Sequence, residues 1–142
     1  EFVGEIDETR KRDFLGNAAA LLFPIDWPEP FGLAMIEALA CGTPVIARRM
    51  GSVPEVIKDG VTGFIFDTFE EGVDAVGRIH LIDRRSCRRE FECRFTAQRM
   101  VGDYVRLYRL LSEAKERVRF TANEGSVYGR NHPGKESVLY SG

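Results

Sequence analysis

No apolar run in this 142-residue chain approaches the length of a membrane span, and no signal peptide opens it. Cysteine is scarce. Cys41, Cys87 and Cys93 are odd in number and lack metal-ligand spacing, so they read as reduced thiols of a cytoplasmic protein, with Cys41 packed at a helix end. Histidine is scarcer still: His80 and His132 form no local constellation with the cysteines, which argues against a zinc site or a cysteine nucleophile. The net charge is only −2, so no global field draws the chain to nucleic acid. What is left is an ordinary soluble composition, 44% hydrophobic and 30% charged, with enough length for one well-cored domain.

The most informative stretch is Phe23 to Ala47, FPIDWPEPFGLAMIEALACGTPVIA. Pro28 and Pro30 stiffen a loop and disfavour helix just before them, so a helix is expected from about Phe31 or Gly32 to Cys41. Leu33, Ile36 and Ala40, with Met35 and Leu39, recur at helical spacing and supply its buried face. Gly42 suits the helix end, Pro44 blocks its resumption, and Val45 to Ala47 reads as a short buried strand. Glu29 falls in the loop and Glu37 on the helix, with seven residues between them. Their separation along the axis is roughly 8 Å at the usual helical rise. The free N–H groups of a first helical turn suit a phosphate, and Gly32 lets a ligand approach the backbone. A carboxylate on each side of an anion site could hold hydroxyl groups on each side of a diphosphate. That is the layout of a nucleotide-sugar. An isolated pair of glutamates at this spacing is more often simply solvated.

Around this stretch strands and helices alternate. Phe2 and Val3 read as the end of a strand. Asp7 or Thr9 caps a short helix through about Gly16, with Phe14 and Leu15 turned inward and Arg10 to Arg12 on a solvated face. Ala18 to Phe23 is a continuous apolar run, as expected for a central parallel strand covered on both faces. After a turn at Met50 to Ser52, Pro54 and Glu55 begin a short helix, and Gly63 to Asp67 forms another strand. The pattern predicts an α/β fold with a parallel sheet, whose ligands lie beyond the carboxyl ends of the strands, on the rim shared by Glu29 and the Gly51–Ser52 turn.

Helical patterns fill the rest: Phe69 to about Asp83, then Arg84 to Phe95, then Thr96 to Leu111. The last carries Met100, Tyr104, Leu107, Tyr108 and Leu111 on one stripe, read as core. The arginine-dense Arg84–Arg94 run could touch anionic lipid or nucleic acid, but Glu90 and Glu92 interleave it and favour a solvated face. Beyond about Glu116 the chain reads as a mobile tail. Residues 1–111 are thus expected as the folded portion and 112–142 as a helix end with a flexible tail.

EPFGLAMIEALACGTPVIA, followed by GSVPEVIKDGVTGFIF, closely resembles the donor-binding half of retaining family 4 glycosyltransferases of the GT-B fold. The likeness runs from about Val3 to about Leu111, and Glu29 and Glu37 match the family's E-x7-E signature. The resemblance implies the later part of a Rossmann-like C-terminal domain, moving a sugar from a nucleotide-sugar to an acceptor hydroxyl with retention. It implies that Glu29 holds the donor sugar as the catalytic carboxylate and Glu37 holds the ribose. Backbone N–H groups of Phe31, Gly32 and Leu33 would meet the sugar and diphosphate. Gly51 would lie near the donor, in a turn where family members often carry two glycines rather than Gly51–Ser52. The nucleotide-diphosphate sugar is a substrate; no cofactor and no metal are expected. The family's basic diphosphate clamp and its acceptor domain would lie before Glu1, so an N-terminal domain or partner chain is expected to supply them. The chain alone is expected to be an inactive portion of the enzyme. The alternatives are another GT-B nucleotide-sugar enzyme, such as an epimerase, or a non-catalytic binding module of the same descent.

Overall fold

The computed structural model describes residues 1–127, with side chains described through Lys115. Residues 1–99 and 100–142 form two compact units. In chain order the elements are α1 (Glu8–Asn17), β1 (Leu21–Phe23), α2 (Leu33–Ala40), β2 (Val45–Arg48), α3 (Val53–Val56) and β3 (Gly63–Phe66). There follow α4 (Phe69–Arg78), a 3₁₀ turn at Ile79–Leu81, α5 (Arg84–Arg94) and α6 (Ala97–Val127).

The fold is α/β: a three-stranded parallel sheet in the order β1-β2-β3, flanked by helices. This is the arrangement expected of the later part of a Rossmann-like C-terminal domain of GT-B type, followed by C-terminal helices. Leu21, Leu22 and Phe23 pair with Val45, Ile46 and Ala47, and Val45 through Arg48 pair with Gly63 through Phe66. Parallel neighbours cannot be joined by a tight hairpin, so α2 and the α3 segment carry the chain back across the sheet. Val45, Ile46 and Ala47 of the central strand are buried among Met35, Ile36 and Leu39 of α2, Val53 and Val56 of α3, and Cys87 of α5. Thr43 is also fully buried, and its hydroxyl donates to the Leu15 carbonyl at 2.6 Å, joining the end of α1 to the entry of β2.

Helix starts follow local chemistry. The Asp7 carboxylate caps α1 by accepting from the N–H groups of Thr9 and Arg10. Thr68 and Glu71 close a reciprocal capping box on α4. Asp83 caps α5 through the Arg85 N–H.

Several expectations need correction. Phe2 and Val3 belong to no strand. The apolar run Ala18–Phe23 yields only three strand residues. They lie at the edge of the described sheet, not its centre, and Leu22 is 60% exposed. Helix α2 starts two residues later than Phe31 because Gly32 holds φ +80°, a left-handed conformation that no helical residue adopts. Leu33 therefore opens the helix pointing outward, and Phe14 is likewise exposed. The helix from Phe69 ends at Arg78, short of Asp83. The Met100–Leu111 stripe is not core: Met100, Tyr104, Leu107, Tyr108 and Leu111 are all exposed. Among the described residues, α6 is the only element of its unit, so nothing within that unit covers the stripe. Helix α6 continues to Val127, so residues 117–127 of the expected tail are helical; the remainder of that tail lies outside the described residues.

Candidate functional site

The carboxyl ends of β1 and β2 open into two segments that pack on each other. The loop after β1 is anchored by buried Ile25 and carries Glu29; the turn after β2 carries Gly51 and Ser52. The Ser52 N–H donates to the Glu29 carbonyl at 2.8 Å. Gly51, at φ +52°, lies so close that a Cβ there would fall 2.3 Å from the Glu29 carbonyl oxygen. Gly51 is thus a positioning residue, whose missing side chain lets the turn seat the backbone of Glu29.

From that seat the Glu29 carboxylate folds back over the start of α2. It accepts from the Gly32 N–H at 2.9 Å, and more distantly from the Trp27 indole at 3.3 Å and the Phe31 N–H at 3.4 Å. The Gly32 N–H, aided by those of Phe31 and the Trp27 indole, holds the Glu29 carboxyl below the usual glutamate range against a smaller opposing effect of burial. Two of the three N–H groups expected to face a ligand therefore serve Glu29 itself. The N–H groups of Leu33 and Ala34, next in the turn, have no partner among the described residues.

Beside them lies a residue that sequence reasoning passed over. The Ser52 side chain is 7% exposed, and its hydroxyl oxygen has no hydrogen-bond partner among the described residues. It stands 3.4 Å from where a Cβ on Gly32 would sit. An unpaired buried hydroxyl costs free energy unless a ligand or water completes it. The one sequence signal was the serine standing where related chains often carry glycine.

Glu37 lies four residues into α2, roughly 6 Å along the axis from Leu33 at the usual rise. Its carboxylate is half-buried and takes a 2.8 Å ion pair from Lys11 of α1, whose ammonium also reaches Glu8 at 2.6 Å. The bond to Glu37 first, then that to Glu8, raises the Lys11 pKa above the ordinary lysine value. Twenty-six positions separate Lys11 from Glu37, so no local motif could have joined them. The structure thus gathers Glu29, Phe31, Gly32, Leu33 and Gly51 at one helix terminus and places Glu37 a turn away, with its own cationic partner. Arg48 and Arg49, also on the rim, are engaged by Asp26 and Asp67. Among the described residues no group of three or more His, Cys, Asp or Glu is disposed to hold a metal, and no helix is long and apolar enough to cross a membrane.

The Glu29 cap makes a pH prediction. Its folded pKa lies below the free value of 4.5, so its contribution to stability is complete above 4.5 and lost as pH falls through the lowered folded value. Between about pH 5 and pH 3, Glu29→Gln should therefore lose less stability than the parent. Urea unfolding at each pH measures this, and parallel pH profiles for the two proteins would reject the cap.

Residues 1–86 match the family described as glycosyl transferases group 1. An uncharacterised 41.2 kDa protein in the cps region of Klebsiella pneumoniae is 34% identical over 115 residues, covering 76% of this chain and 32% of its own length. The D-inositol 3-phosphate glycosyltransferase 2 of Catenulispora acidiphila is 38% identical over 82 residues, 58% of this chain and 19% of that protein. A D-inositol 3-phosphate glycosyltransferase of Mycobacterium sp. strain KMS is 45% identical over 56 residues, 39% of this chain and 13% of that protein. The chain thus spans about a third or less of the length of these curated relatives.

Proposed function

Because the chain belongs to the glycosyl transferases group 1 family, we propose that it is the donor-binding portion of a family 4, GT-B glycosyltransferase acting on a nucleotide-sugar with retention. The observation that carries this reading is the α2 terminus, where two unpartnered N–H groups and the unpaired Ser52 hydroxyl stand beside a fixed carboxylate. Unpartnered donors at a helix N-terminus suit the diphosphate oxygens. Glu29, held by the Gly32 N–H, presents its remaining lone pairs to the sugar hydroxyls. Glu37, steadied by Lys11, does the same for the ribose.

In the reaction the bond from the anomeric carbon to the diphosphate oxygen breaks, and a bond to the acceptor oxygen forms on the same face. Negative charge grows on the leaving phosphate, where the Leu33 and Ala34 N–H groups stabilise it without reorganising. Phe31 and Gly32 act indirectly, by orienting Glu29. Another portion of the enzyme, an N-terminal domain or a partner chain, supplies the acceptor site and any further cations for the diphosphate.

Ser52→Ala tests the reading through effects of opposite sign. Removing an unpaired buried hydroxyl should raise the stability of the free protein by about 1 kcal/mol. Losing a ligand hydrogen bond should weaken nucleoside diphosphate binding roughly five- to tenfold. Thermal melts with and without nucleoside diphosphates and their sugar conjugates read both quantities. Failure of every such ligand to raise the melting temperature of the parent would discard the donor site. Unchanged affinity in Ser52→Ala would discard the hydroxyl's part in it.

A further inference from the structure

The other end of α2 carries a second site, independent of the donor reading. A cleft of about 640 Å³ lies between α1, the carboxyl end of α2 and α5, and its charged lining is Arg12, Asp13, Arg84, Arg85 and Arg88. Most cations of residues 1–99 have a carboxylate partner: Lys11, Arg48, Arg49, Lys58, Arg78, Arg88, Arg89 and Arg94 are all paired. Among the described residues, Arg12, Arg84 and Arg85 have no carboxylate partner, and all three line this one cleft. Asp13 is the sole acidic residue in the lining.

The cleft is also partly preorganised. Arg84 donates to the carbonyls of Ala18 and Gly16, both at 2.7 Å, and to the Thr43 hydroxyl at 3.0 Å, which fixes its guanidinium without neutralising it. The negative end of α2, which would repel an anion, is already covered. Arg88 donates to the Ala40 carbonyl, and the N–H groups of Cys41, Gly42 and Thr43 take up those of Glu37, Leu39 and Ala38. Arg12 and Arg85, on α1 and α5, are exposed and free to close on a guest from two elements.

We propose that this cleft binds a phosphate-bearing ligand, with Arg12 and Arg85 gripping the phosphate and Arg84 supplying fixed positive charge beneath it. Guanidinium forks match the oxygens of a tetrahedral oxyanion, and three uncompensated cations suit a doubly charged phosphate monoester. The volume exceeds that of phosphate alone, so the group belongs to a larger molecule, either a soluble phosphate ester or a lipid headgroup.

The test uses the intact chain, inorganic phosphate, and vesicles of phosphatidylcholine with or without phosphatidic acid. Phosphate should shift backbone amide resonances of α1 and α5, and Arg12→Gln with Arg85→Gln should weaken its binding at least about tenfold. Neither residue has a partner among the described residues to lose, so the double variant should keep its fold, checked by its circular dichroism and melting temperature. Vesicle binding that requires phosphatidic acid and is lost in the double variant supports the site and identifies a lipid source. Phosphate binding without vesicle binding, lost in the same variant, supports it with a soluble source. No binding of either probe, equal binding by the double variant, or shifts confined to Gly32–Ala34 would overturn the proposal.

Discussion

Gly51→Ala is expected to destabilise the protein by about 2–4 kcal/mol, the sum of a left-handed backbone forced on alanine and an overpacked contact. The contact dominates. A Cβ at Gly51 would lie 2.3 Å from the Glu29 carbonyl oxygen, 2.4 Å from its nitrogen and 2.7 Å from the Pro28 carbonyl carbon. All three are backbone atoms, so no side-chain rotation relieves the clash, and the loop bearing Glu29 must move. That movement breaks the 2.8 Å bond from the Ser52 N–H and shifts the carboxylate off the Gly32 N–H. Nucleoside diphosphate sugar binding should fall more than about tenfold, since small misplacements of a positioned group are costly.

Gly60 supplies the control. It has φ +71° but nothing within 4 Å of a built Cβ, so Gly60→Ala should cost only the backbone component, about 1 kcal/mol. Chemical denaturation of both variants separates strain from contact. Equal losses would show that the two segments do not press together as the structure has them.

The ease with which this site can be read from sequence depends on how local its causes are. Strands β2 and β3 and helix α2 were legible because Pro28, Pro30, Gly42 and Pro44 punctuate the chain within a few residues of each boundary. The late start of α2 was not, because it turns on the left-handed Gly32, a freedom that glycine permits but does not announce. Glu29 was identifiable as a candidate, yet its capping of α2 was hidden: one carboxylate in a proline-rich loop can face a ligand or its own helix, and only geometry decides. Lys11 on Glu37 and Arg84 on the carbonyls of Gly16 and Ala18 are long-range contacts that periodicity cannot encode. The arginine run of α5 was accordingly read as a solvated face, whereas Arg84, Arg88 and Arg94 each bind backbone carbonyls elsewhere in the chain. Leu22 and the α6 stripe erred the other way: an apolar pattern records the need for cover, not where cover lies.

The two glutamates should part company when each is changed to glutamine. Glu37 meets Lys11, and its proposed ligand is the ribose, a part common to the nucleotide and the whole donor. Glu37→Gln should therefore weaken nucleoside diphosphate and intact donor alike, roughly ten- to a hundredfold, as expected for a charge-assisted hydrogen bond. Lys11→Met should produce a smaller loss of the same kind, because the carboxylate stays while its steadying partner goes. Glu29 faces the sugar alone. Glu29→Gln should leave nucleoside diphosphate affinity within about twofold and yet impair donor use, with much of the loss in turnover, since orientation of the sugar matters most in the transition state. Glutamine can still accept from the Gly32 N–H, so the loop need not collapse in that variant. Titration of each variant with the diphosphate and then with the donor conjugate reads the binding effects. Turnover is read in the enzyme that carries the acceptor-binding portion. Were both variants to lose the two ligands equally, the division of labour would be wrong and Glu29 would be acting chiefly as the cap of α2. Were neither to lose affinity while Lys11→Met lowered stability, the carboxylates would be structural groups and the donor would have to be held elsewhere on the rim.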